Sequence, residues 1–193
     1  MTKSSDPEFA EAVKALQQAL DELGSPAMMI GGVAVIALGV PRYTADVDAT
    51  ILGRTTLPEQ ILDAFARHGI RPRIEEVLKL ARSRHVVLAL HEPSGVSIDA
   101  TLGWLPFEEQ AIQTSQIRDY AGIEIRVPRA EDLVIYKLVA SRPQDIEDAK
   151  ALLALYNDEI NLDRVRDLMR QFSEALQDAS RLEVLERLIQ KTR

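Results

Sequence analysis

The sequence predicts an α+β fold. Strand-like alternation of polar and apolar residues is confined to the chain before residue 128, whereas apolar residues at helical spacing dominate after it. The 193 residues, 46% of them hydrophobic, suffice for a real core. The loss of strand content predicts a core with an N-terminal helix over residues 1–128 and a C-terminal helical module over residues 129–193.

Helices and strands follow one another along the chain. Asp6 and Pro7 are typical of a helix start, and apolar residues at helical spacing continue from there to Gly24. Residues 27–30 predict a short strand, and residues 33–38 predict a buried helix. The remaining predicted strands are 46–52, 84–90, 96–102 and 123–127, and the remaining predicted helices are 57–69, 130–140, 143–156, 161–172 and 174–191.

Composition excludes several kinds of protein. Because there is no cysteine, disulfides and thiolate zinc sites are ruled out. No run approaches the roughly 20 apolar residues that a membrane-spanning helix requires, and the first residues carry no apolar signal core, so we expect a cytoplasmic protein with no membrane partner. A formal net charge of -7 argues against a surface that binds nucleic acid mainly through its phosphates.

Two aspartates share one face of a predicted strand. In the segment 46–52, Asp46 and Asp48 alternate with apolar residues, so their side chains project from the same face. Their Cβ atoms are then about 6 to 7 Å apart, close enough for both carboxylates to bind the same metal ions. Such hard oxygen ligands suit Mg²⁺, which takes one or two carboxylates together with water and the phosphate oxygens of a nucleotide.

Asp99 is a lone carboxylate in the otherwise apolar strand 96–102, where a charge needs a partner. If this strand lies beside the strand 46–52, Asp99 joins Asp46 and Asp48 around the same metals. Without cations, the three carboxylates repel one another.

Gly31 and Gly32 lie at the turn between the strand 27–30 and the helix 33–38. Missing side chains let a phosphate approach backbone N–H groups near the positive end of the helix. A turn of this kind also uses glycine merely for its backbone angles, and for the pair taken alone that interpretation is favoured.

Together these residues resemble the nucleotidyltransferase superfamily of DNA polymerase beta type. Gly31-Gly32 is followed after thirteen residues by Asp46-Val47-Asp48, and the third acidic residue, Asp99, lies on a later strand. The resemblance covers roughly residues 27–150. The strings that resemble its subgroup of AbiEii-like toxins are residues 30–34, residues 42–48 and the helix from Glu131 to Lys137 with Arg142, Asp145 and Asp148 after it.

The resemblance implies a mixed β-sheet with helices packed on it. It also implies two Mg²⁺ ions, with Mn²⁺ as the alternative, and transfer of a nucleoside monophosphate from a triphosphate such as ATP with loss of pyrophosphate. Asp46 and Asp48 would bind the metals and the nucleotide phosphates, and Asp99, a further metal ligand, would help to activate the acceptor hydroxyl. Paired metals of this kind stabilise both the attacking and the leaving oxygen.

Three further residues are predicted to bind the nucleotide. Arg42 and Thr44 directly precede the aspartates, and in the resembling subgroup the equivalent polar positions lie beside the site, so Arg42 is expected to counter phosphate charge. The alternative for Arg42 is a solvated loop arginine. Lys137 is expected to reach the triphosphate from the helical module.

Two other features are predicted to be structural. Asp145 and Asp148 lie three residues apart on a predicted helix, and the favoured interpretation is an exposed acidic surface paired with Arg142 or Lys150. Trp104 either stacks on a base or packs at a strand end, and packing is favoured.

The leading hypothesis is an Mg²⁺-dependent nucleotidyltransferase with a hydroxyl acceptor. The subgroup resemblance suggests an RNA 3′ end such as that of tRNA, and a cognate antitoxin as a further partner, although the acidic composition counts against RNA. A small molecule such as an aminoglycoside, or a protein hydroxyl, is the alternative acceptor. A nucleotide-binding module that acts by interaction, and a helical scaffold with an incidental acidic strand, are the alternatives to an enzyme.

Overall fold

The structure, a computed structural model, describes residues 6–192 and confirms the α+β prediction. The helices are α1 (Pro7–Leu23), α2 (Gly31–Ala37), α3 (Pro58–Arg67), α4 (Val77–Arg84), α5 (Pro106–Gln113), α6 (Ala130–Ala140), α7 (Pro143–Leu155), α8 (Leu162–Ala175) and α9 (Ser180–Thr192). The strands are β1 (Ala27–Ile30), β2 (Asp46–Leu52), β3 (Ile70–Pro72), β4 (Val86–His91), β5 (Val96–Gly103), β6 (Gln116–Tyr120) and β7 (Ile123–Val127).

Five strands form a mixed sheet in the order β1-β2-β5-β4-β3. The neighbours β2 and β5 run parallel, and the other neighbouring strands are antiparallel. The register places Asp48 opposite Asp99 and Asp46 opposite Ser97. Because residues paired in this way project from the same face of a sheet, the prediction that Asp99 lies beside the other two aspartates is confirmed.

The first helix is bounded as the sequence predicts. The Asp6 carboxylate accepts a hydrogen bond from the Glu8 amide at 3.2 Å, and Pro7 occupies the first helical position. Gly24 ends the helix with a φ of 65°, and its amide donates to the Asp21 carbonyl at 3.2 Å. The apolar face between these caps is buried against the rest of the core.

The core covers unequal lengths of the two faces of β2. On one face Val47, Ala49 and Ile51 are fully buried, and burial of a Val or Ile side chain contributes about 1.5–3 kcal/mol. On the other face Thr50 is also fully buried, beneath α5. The first residues of that second face remain open, and they include Asp46, whose side chain is exposed.

The segment between α3 and β5 contains two elements that the sequence did not predict. β3 has three residues at the sheet edge, and Pro72 lacks a ladder donor, so no alternation develops. α4 buries only Val77 and Ala81, which is too narrow an apolar stripe to detect. The predicted strand 84–90 starts two residues late because Arg84 ends α4 and His85 adopts a φ of 57°.

α5 and β6 were also not predicted. α5 begins after a turn in which the Trp104 and Leu105 amides both donate to Glu108 Oε2 at 3.0 Å. β6 pairs with β7 through a tight turn at Ala121 and Gly122, whose φ angles are 51° and 83°. Such turns are usually recognised by Asn-Gly or Asp-Gly, and Ala-Gly lacks that signature.

The helices after β7 pack around α6, which contacts α7, α8 and α9. The same hydrophobic core includes residues of these helices and of the sheet. A boundary between residues 1–128 and 129–193 remains a prediction. Of the helices formed by residues 6–192, none is both long and apolar enough to cross a membrane.

Candidate active site

Asp46 and Asp48 lie at the open start of β2. The Asp46 carboxylate is held by Thr44, whose hydroxyl donates to Asp46 Oδ1 at 3.1 Å. Thr44 is 2% exposed. Thr44 was predicted to bind the nucleotide, and the contact that the structure gives it is with Asp46.

The Asp48 carboxylate lies against the start of α2. A Cβ added to Gly31 would lie 2.0 Å from Asp48 Oδ2, so only glycine allows this approach. A Cβ at Gly32 would lie 2.4 Å from Thr44 Oγ1 and 3.2 Å from Arg42 Cζ. The helix, predicted from residue 33, begins at Gly31, so the backbone N–H groups of both glycines belong to its first turn.

Asp99 projects from the same face as Asp48 on the neighbouring strand. Its Oδ1 atom accepts a hydrogen bond from Arg73 Nη2 at 2.6 Å. Arg73 Nη1 also donates to Ser97 Oγ at 3.0 Å. Arg73 was not predicted as the partner of Asp99, because it lies in a segment without recognisable periodicity.

A buried ionic cluster forms the wall opposite β2. Lys137 Nζ lies 3.1 Å from Asp145 Oδ1 and 2.8 Å from Asp148 Oδ2, and all three side chains are at most 5% exposed. Arg142 Nε donates to Asp145 Oδ2 at 2.6 Å. Arg42 Nη1 pairs with Asp148 Oδ2, which connects the loop before β2 to α7.

The prediction that Asp145 and Asp148 form an exposed acidic surface is wrong. Both are buried, at 1% and 2% exposure, because they share a helix face with Ala149 and Leu152, which pack into the core. Pairing with Arg142 was predicted for this surface and is present for Asp145, whereas Lys150 pairs with a glutamate outside the site. The alternative that Arg42 is a solvated loop residue is also wrong, since its side chain is 16% exposed.

A cavity of about 350 Å³ connects these groups. Three cationic side chains line it, together with carboxylates of both β2 and α7. A larger cleft of about 480 Å³ lies between the ends of α1 and α5 and includes none of these residues. The residues that line the smaller cavity are Gly32, Arg42, Asp46, Asp48, Lys137, Arg142, Pro143, Gln144 and Asp145.

The pKa values reflect a site with crowded carboxylates. Burial, together with the charges of Asp46 and Asp99, raises the pKa of Asp48 from 3.8 to about 6. Burial also raises the pKa of Asp99, although Arg73 opposes that rise. Both carboxyl groups therefore hold a proton more tightly than an ordinary aspartate does.

The ionic cluster behaves differently. Burial would raise the pKa of Asp145, but hydrogen bonds from Arg142 and Lys137 and their positive charges outweigh it, and the pKa is lowered. Asp145 is therefore held as a carboxylate by its two cations.

The donor set at Asp46 and Asp48 fits a hard divalent cation. Carboxylate oxygens are ligands that Mg²⁺ prefers, and a bound cation would relieve the repulsion that raises the pKa of Asp48. Among residues 6–192, no group of three His, Cys, Asp or Glu side chains is arranged to hold a metal ion by itself. The metal and catalytic roles of Asp46, Asp48 and Asp99 remain predictions.

Trp104 is 60% exposed, so the prediction that it packs at the strand end is wrong. Its ring lies against His85, with 5.7 Å between the ring centroids. Trp104 follows the last residue of β5, and Asp99 lies five residues earlier on that extended strand. The exposed ring is therefore about 15 Å or more from the carboxylates.

The sequence model of the family described as "Nucleotidyl transferase AbiEii toxin, Type IV TA system" matches residues 14–192. The chain belongs to the AbiEii family. This AbiEii member is therefore a nucleotidyltransferase, and its family is described as toxins of toxin–antitoxin systems. A search of curated proteins finds no match to the sequence.

Solved structures share the fold of this AbiEii member. The solution structure of the antibiotic-resistance factor ANT(2'')-Ia has a TM-score of 0.62 and 19% identity, and covers 92% of this chain and 97% of its own. The crystal structure of ANT(2'')-Ia with adenylyl-2''-tobramycin has a TM-score of 0.59 and 20% identity, and covers 86% of this chain and 97% of its own. The crystal structure of JHP933 from Helicobacter pylori has a TM-score of 0.55 and 14% identity, and covers 97% of this chain and 94% of its own.

Gly31→Ala is expected to lower nucleotidyl transfer at least about 100-fold, because the new Cβ would displace the Asp48 carboxylate. Gly24→Ala is the matched control, since Gly24 has a φ of 65°, against 64° at Gly31, but has no atom within 4 Å of an added Cβ. Both variants should lose about 1–2 kcal/mol of unfolding free energy from the left-handed conformation. Urea denaturation and transfer rates measured side by side check this, and equal activity losses would contradict it.

Proposed function

We propose that this protein is a Mg²⁺-dependent enzyme that transfers a nucleoside monophosphate from a nucleoside triphosphate to the 3′ hydroxyl of an RNA such as tRNA. The observation that carries the proposal is the register of β2 and β5, which aligns Asp48 with Asp99 on the open face that also holds Asp46. The cavity next to these carboxylates contains the cations that a triphosphate requires.

Asp46 and Asp48 are the residues that would hold Mg²⁺, or Mn²⁺ in its place. Two ions bound there would supply electrostatic stabilisation of the attacking and leaving oxygens on phosphorus. Both carboxylates face the cavity, and the contact from Thr44 orients Asp46 toward it. The remaining ligands would be water and phosphate oxygens, in line with the preference of Mg²⁺ for few protein carboxylates.

The cavity wall binds the triphosphate in this proposal. Lys137, Arg42 and Arg142 line it, and the positive charge of Lys137 already lowers the pKa of Asp48. Each cation is also paired with a carboxylate of α7, which fixes its position before the nucleotide arrives. Gly32 lines the same cavity, and in this proposal its backbone N–H group and that of the neighbouring Gly31 are uncharged donors to the phosphates.

The chemical step is an in-line displacement. The acceptor oxygen forms a bond to the α-phosphorus, the bond from that phosphorus to the bridging oxygen breaks, and pyrophosphate leaves with the electron pair. The proton of the acceptor hydroxyl passes to the Asp99 carboxylate. Burial raises the pKa of Asp99, which makes it a stronger base than an ordinary aspartate.

The family is described as toxins of toxin–antitoxin systems, which supports an antitoxin as a regulatory partner. RNA is the acceptor that we propose for such a toxin. In this proposal the reaction takes place in the cytoplasm, where nucleoside triphosphates and tRNA are available. The second candidate function is transfer to a small molecule, since the same fold occurs in ANT(2'')-Ia in complex with adenylyl-2''-tobramycin.

The test is transfer of labelled phosphate from each of the four α-³²P-labelled nucleoside triphosphates to total tRNA with Mg²⁺. We expect one triphosphate to label tRNA with stoichiometric pyrophosphate, and EDTA to stop the reaction. Pyrophosphate release that requires tobramycin rather than tRNA would support the second candidate. Absence of both products with every triphosphate would refute an enzyme and leave a nucleotide-binding module.

A further inference from the structure

Arg73 is a cation on the acceptor side of the proposed site. Its guanidinium bridges Asp99 and Ser97, with distances of 2.6 Å to Asp99 Oδ1 and 3.0 Å to Ser97 Oγ. Both partners lie on β5 and point to the face that carries Asp46 and Asp48. The pairing therefore places a permanent positive charge beside Asp99, the carboxylate that would take the proton from the acceptor hydroxyl.

The backbone fixes where this guanidinium lies. The Arg73 amide donates to the Leu88 carbonyl on β4 at 3.1 Å, which extends the β3–β4 pairing by one residue. Leu88 is in turn paired with Asp99 on β5. The Arg73 side chain thus spans one strand of the sheet to reach Asp99, and it is positioned by the sheet edge rather than by a free loop.

Arg73 retains the capacity to bind a ligand. Its side chain is 33% exposed and that of Asp99 is 30% exposed, so a substrate can reach both. A guanidinium has five N–H donors in a planar fork. The contacts with Asp99 and Ser97 use one hydrogen bond from Nη2 and one from Nη1. A phosphate oxygen is the ligand that this geometry suits, since Arg binds phosphate through paired hydrogen bonds.

We propose that Arg73 determines acceptor specificity by binding a phosphodiester next to the acceptor hydroxyl. This inference rests on the proposed function and adds the residue that selects the acceptor. A phosphate on Arg73 places the neighbouring sugar hydroxyl beside Asp99. It also draws the guanidinium from the carboxylate, so that Asp99 becomes free to accept the hydroxyl proton as the oxygen attacks the α-phosphorus.

The same preference disfavours aminoglycosides as acceptors. An aminoglycoside carries no phosphodiester for the guanidinium to bind, and the positive charge of Arg73 offsets part of the negative charge that would attract its ammonium groups. The acidic protein surface does not contradict an RNA acceptor in this case, because a single cation, Arg73, binds the phosphodiester at the RNA end. The proposal therefore predicts an enzyme that uses RNA ends and rejects aminoglycosides.

The test compares Arg73→Gln with the matched control Arg71→Gln. Arg71 is another exposed arginine of the same sheet edge, but its guanidinium contacts the Ala66 carbonyl and Glu92 instead of the site. The probes are a short single-stranded RNA with a free 3′ hydroxyl, and the same RNA with its last phosphodiester replaced by an uncharged methylphosphonate. Binding is measured by fluorescence anisotropy, and KM and kcat are measured in the transfer assay.

We expect R73Q to weaken binding of the phosphodiester RNA, and to raise its KM, about tenfold to hundredfold. This change corresponds to the loss of one hydrogen bond between charged groups. Binding of the methylphosphonate RNA should change less than about twofold. R71Q should match the wild type on both RNAs, and Arg73→Lys should recover part of the loss on the phosphodiester.

Equal weakening on both RNAs would overturn the proposal, because Arg73 would then act only through Asp99 or the fold. Efficient transfer to tobramycin by the wild-type protein would also overturn it, while leaving nucleotidyl transfer itself intact. If R73Q binds the phosphodiester RNA selectively worse but no acceptor is labelled by any triphosphate, the proposed function fails and the recognition of phosphate by Arg73 stands.

Discussion

Asp48→Asn is expected to reduce nucleotidyl transfer by at least about a thousandfold while making the ligand-free protein more stable. The activity loss follows because Asp48 is the carboxylate in register with Asp99 and lines the cavity of the proposed metal site. Transition-state stabilisation of about 4 kcal/mol or more corresponds to a thousandfold. The gain in stability follows because an asparagine side chain at this position has no charge to be buried away from water or repelled by Asp46 and Asp99.

The stability gain depends on pH, and its sign follows from the raised pKa of Asp48. Folding raises that pKa from 3.8 to about 6, so the native state binds the proton more tightly than the unfolded state. The stability that Asp48 contributes is present at low pH and is lost as the pH rises through the interval between these two pKa values. Above about pH 7 the ionised group costs at most about 3 kcal/mol.

Urea denaturation at pH 7.5 and pH 4 checks this expectation. D48N should be more stable than the wild type by about 1–3 kcal/mol at pH 7.5 and nearly equal to it at pH 4. Mg²⁺ with nucleotide should raise the melting temperature of the wild type and not that of D48N. Asp163→Asn is the control, because the Asp163 side chain is 96% exposed; a similar gain there would refute the repulsion.

The carboxylates of the sheet were predictable because each belongs to a pattern that is visible in the amino-acid sequence. Asp46 and Asp48 share the polar face of an alternating strand, and Asp99 interrupts an apolar strand. Chain order then suggested that the two strands are neighbours, and the parallel register of β2 and β5 confirmed it. Acidic residues on one face of a strand, and a charge within an apolar strand, are both visible in the local residue pattern.

The opposite wall was missed for a physical reason. Asp145 and Asp148 lie on one helix shortly after Arg142, and a solvated helix face also shows such spacing. The signal that would have found them is the stripe they share with Ala149 and Leu152, which occupy the buried face of α7. A carboxylate on that stripe must be buried, and a buried carboxylate needs a cation such as Lys137.

Arg73 left no such signal. It lies in an exposed, charge-rich segment between a three-residue strand and a short helix, where no periodicity distinguishes one arginine from another. Its contact with Asp99 depends on the pairing of β3 with β4 and of β4 with β5. Register across three strands is a tertiary property, and the sequence around Arg73 alone does not contain it.

Lys137→Met is expected to destabilise the protein by about 3 kcal/mol, because removing one partner from a buried ion pair leaves uncompensated charge. The Lys137 side chain is 5% exposed and its two carboxylate partners are 2% exposed, so water cannot replace the ammonium group. Asp145 keeps Arg142, and Asp148 keeps Arg42, which limits the loss. Urea denaturation at about pH 7.5 measures it.

Lys150→Met is the matched control for that variant. Lys150 lies on α7 and is 47% exposed, and its ammonium group is 3.7 Å from Glu147. Its loss should therefore change the unfolding free energy by less than about 0.5 kcal/mol. A loss in K150M comparable to that in K137M would show that the effect comes from helix propensity or net charge rather than from the buried pair.

The double variant with Lys137→Met and Asp145→Asn separates the fold from the function of Lys137. Removing the charge of Asp145 as well should recover about half of the stability lost in K137M, since a neutral pair leaves less buried charge unpaired. Nucleotide binding, measured as the rise in melting temperature with Mg²⁺ and triphosphate, should stay lost because the ammonium group facing the cavity is still missing. If stability and nucleotide binding return together, Lys137 serves only to hold α6 and α7 together, and the cation that meets the triphosphate must be Arg42 or Arg142.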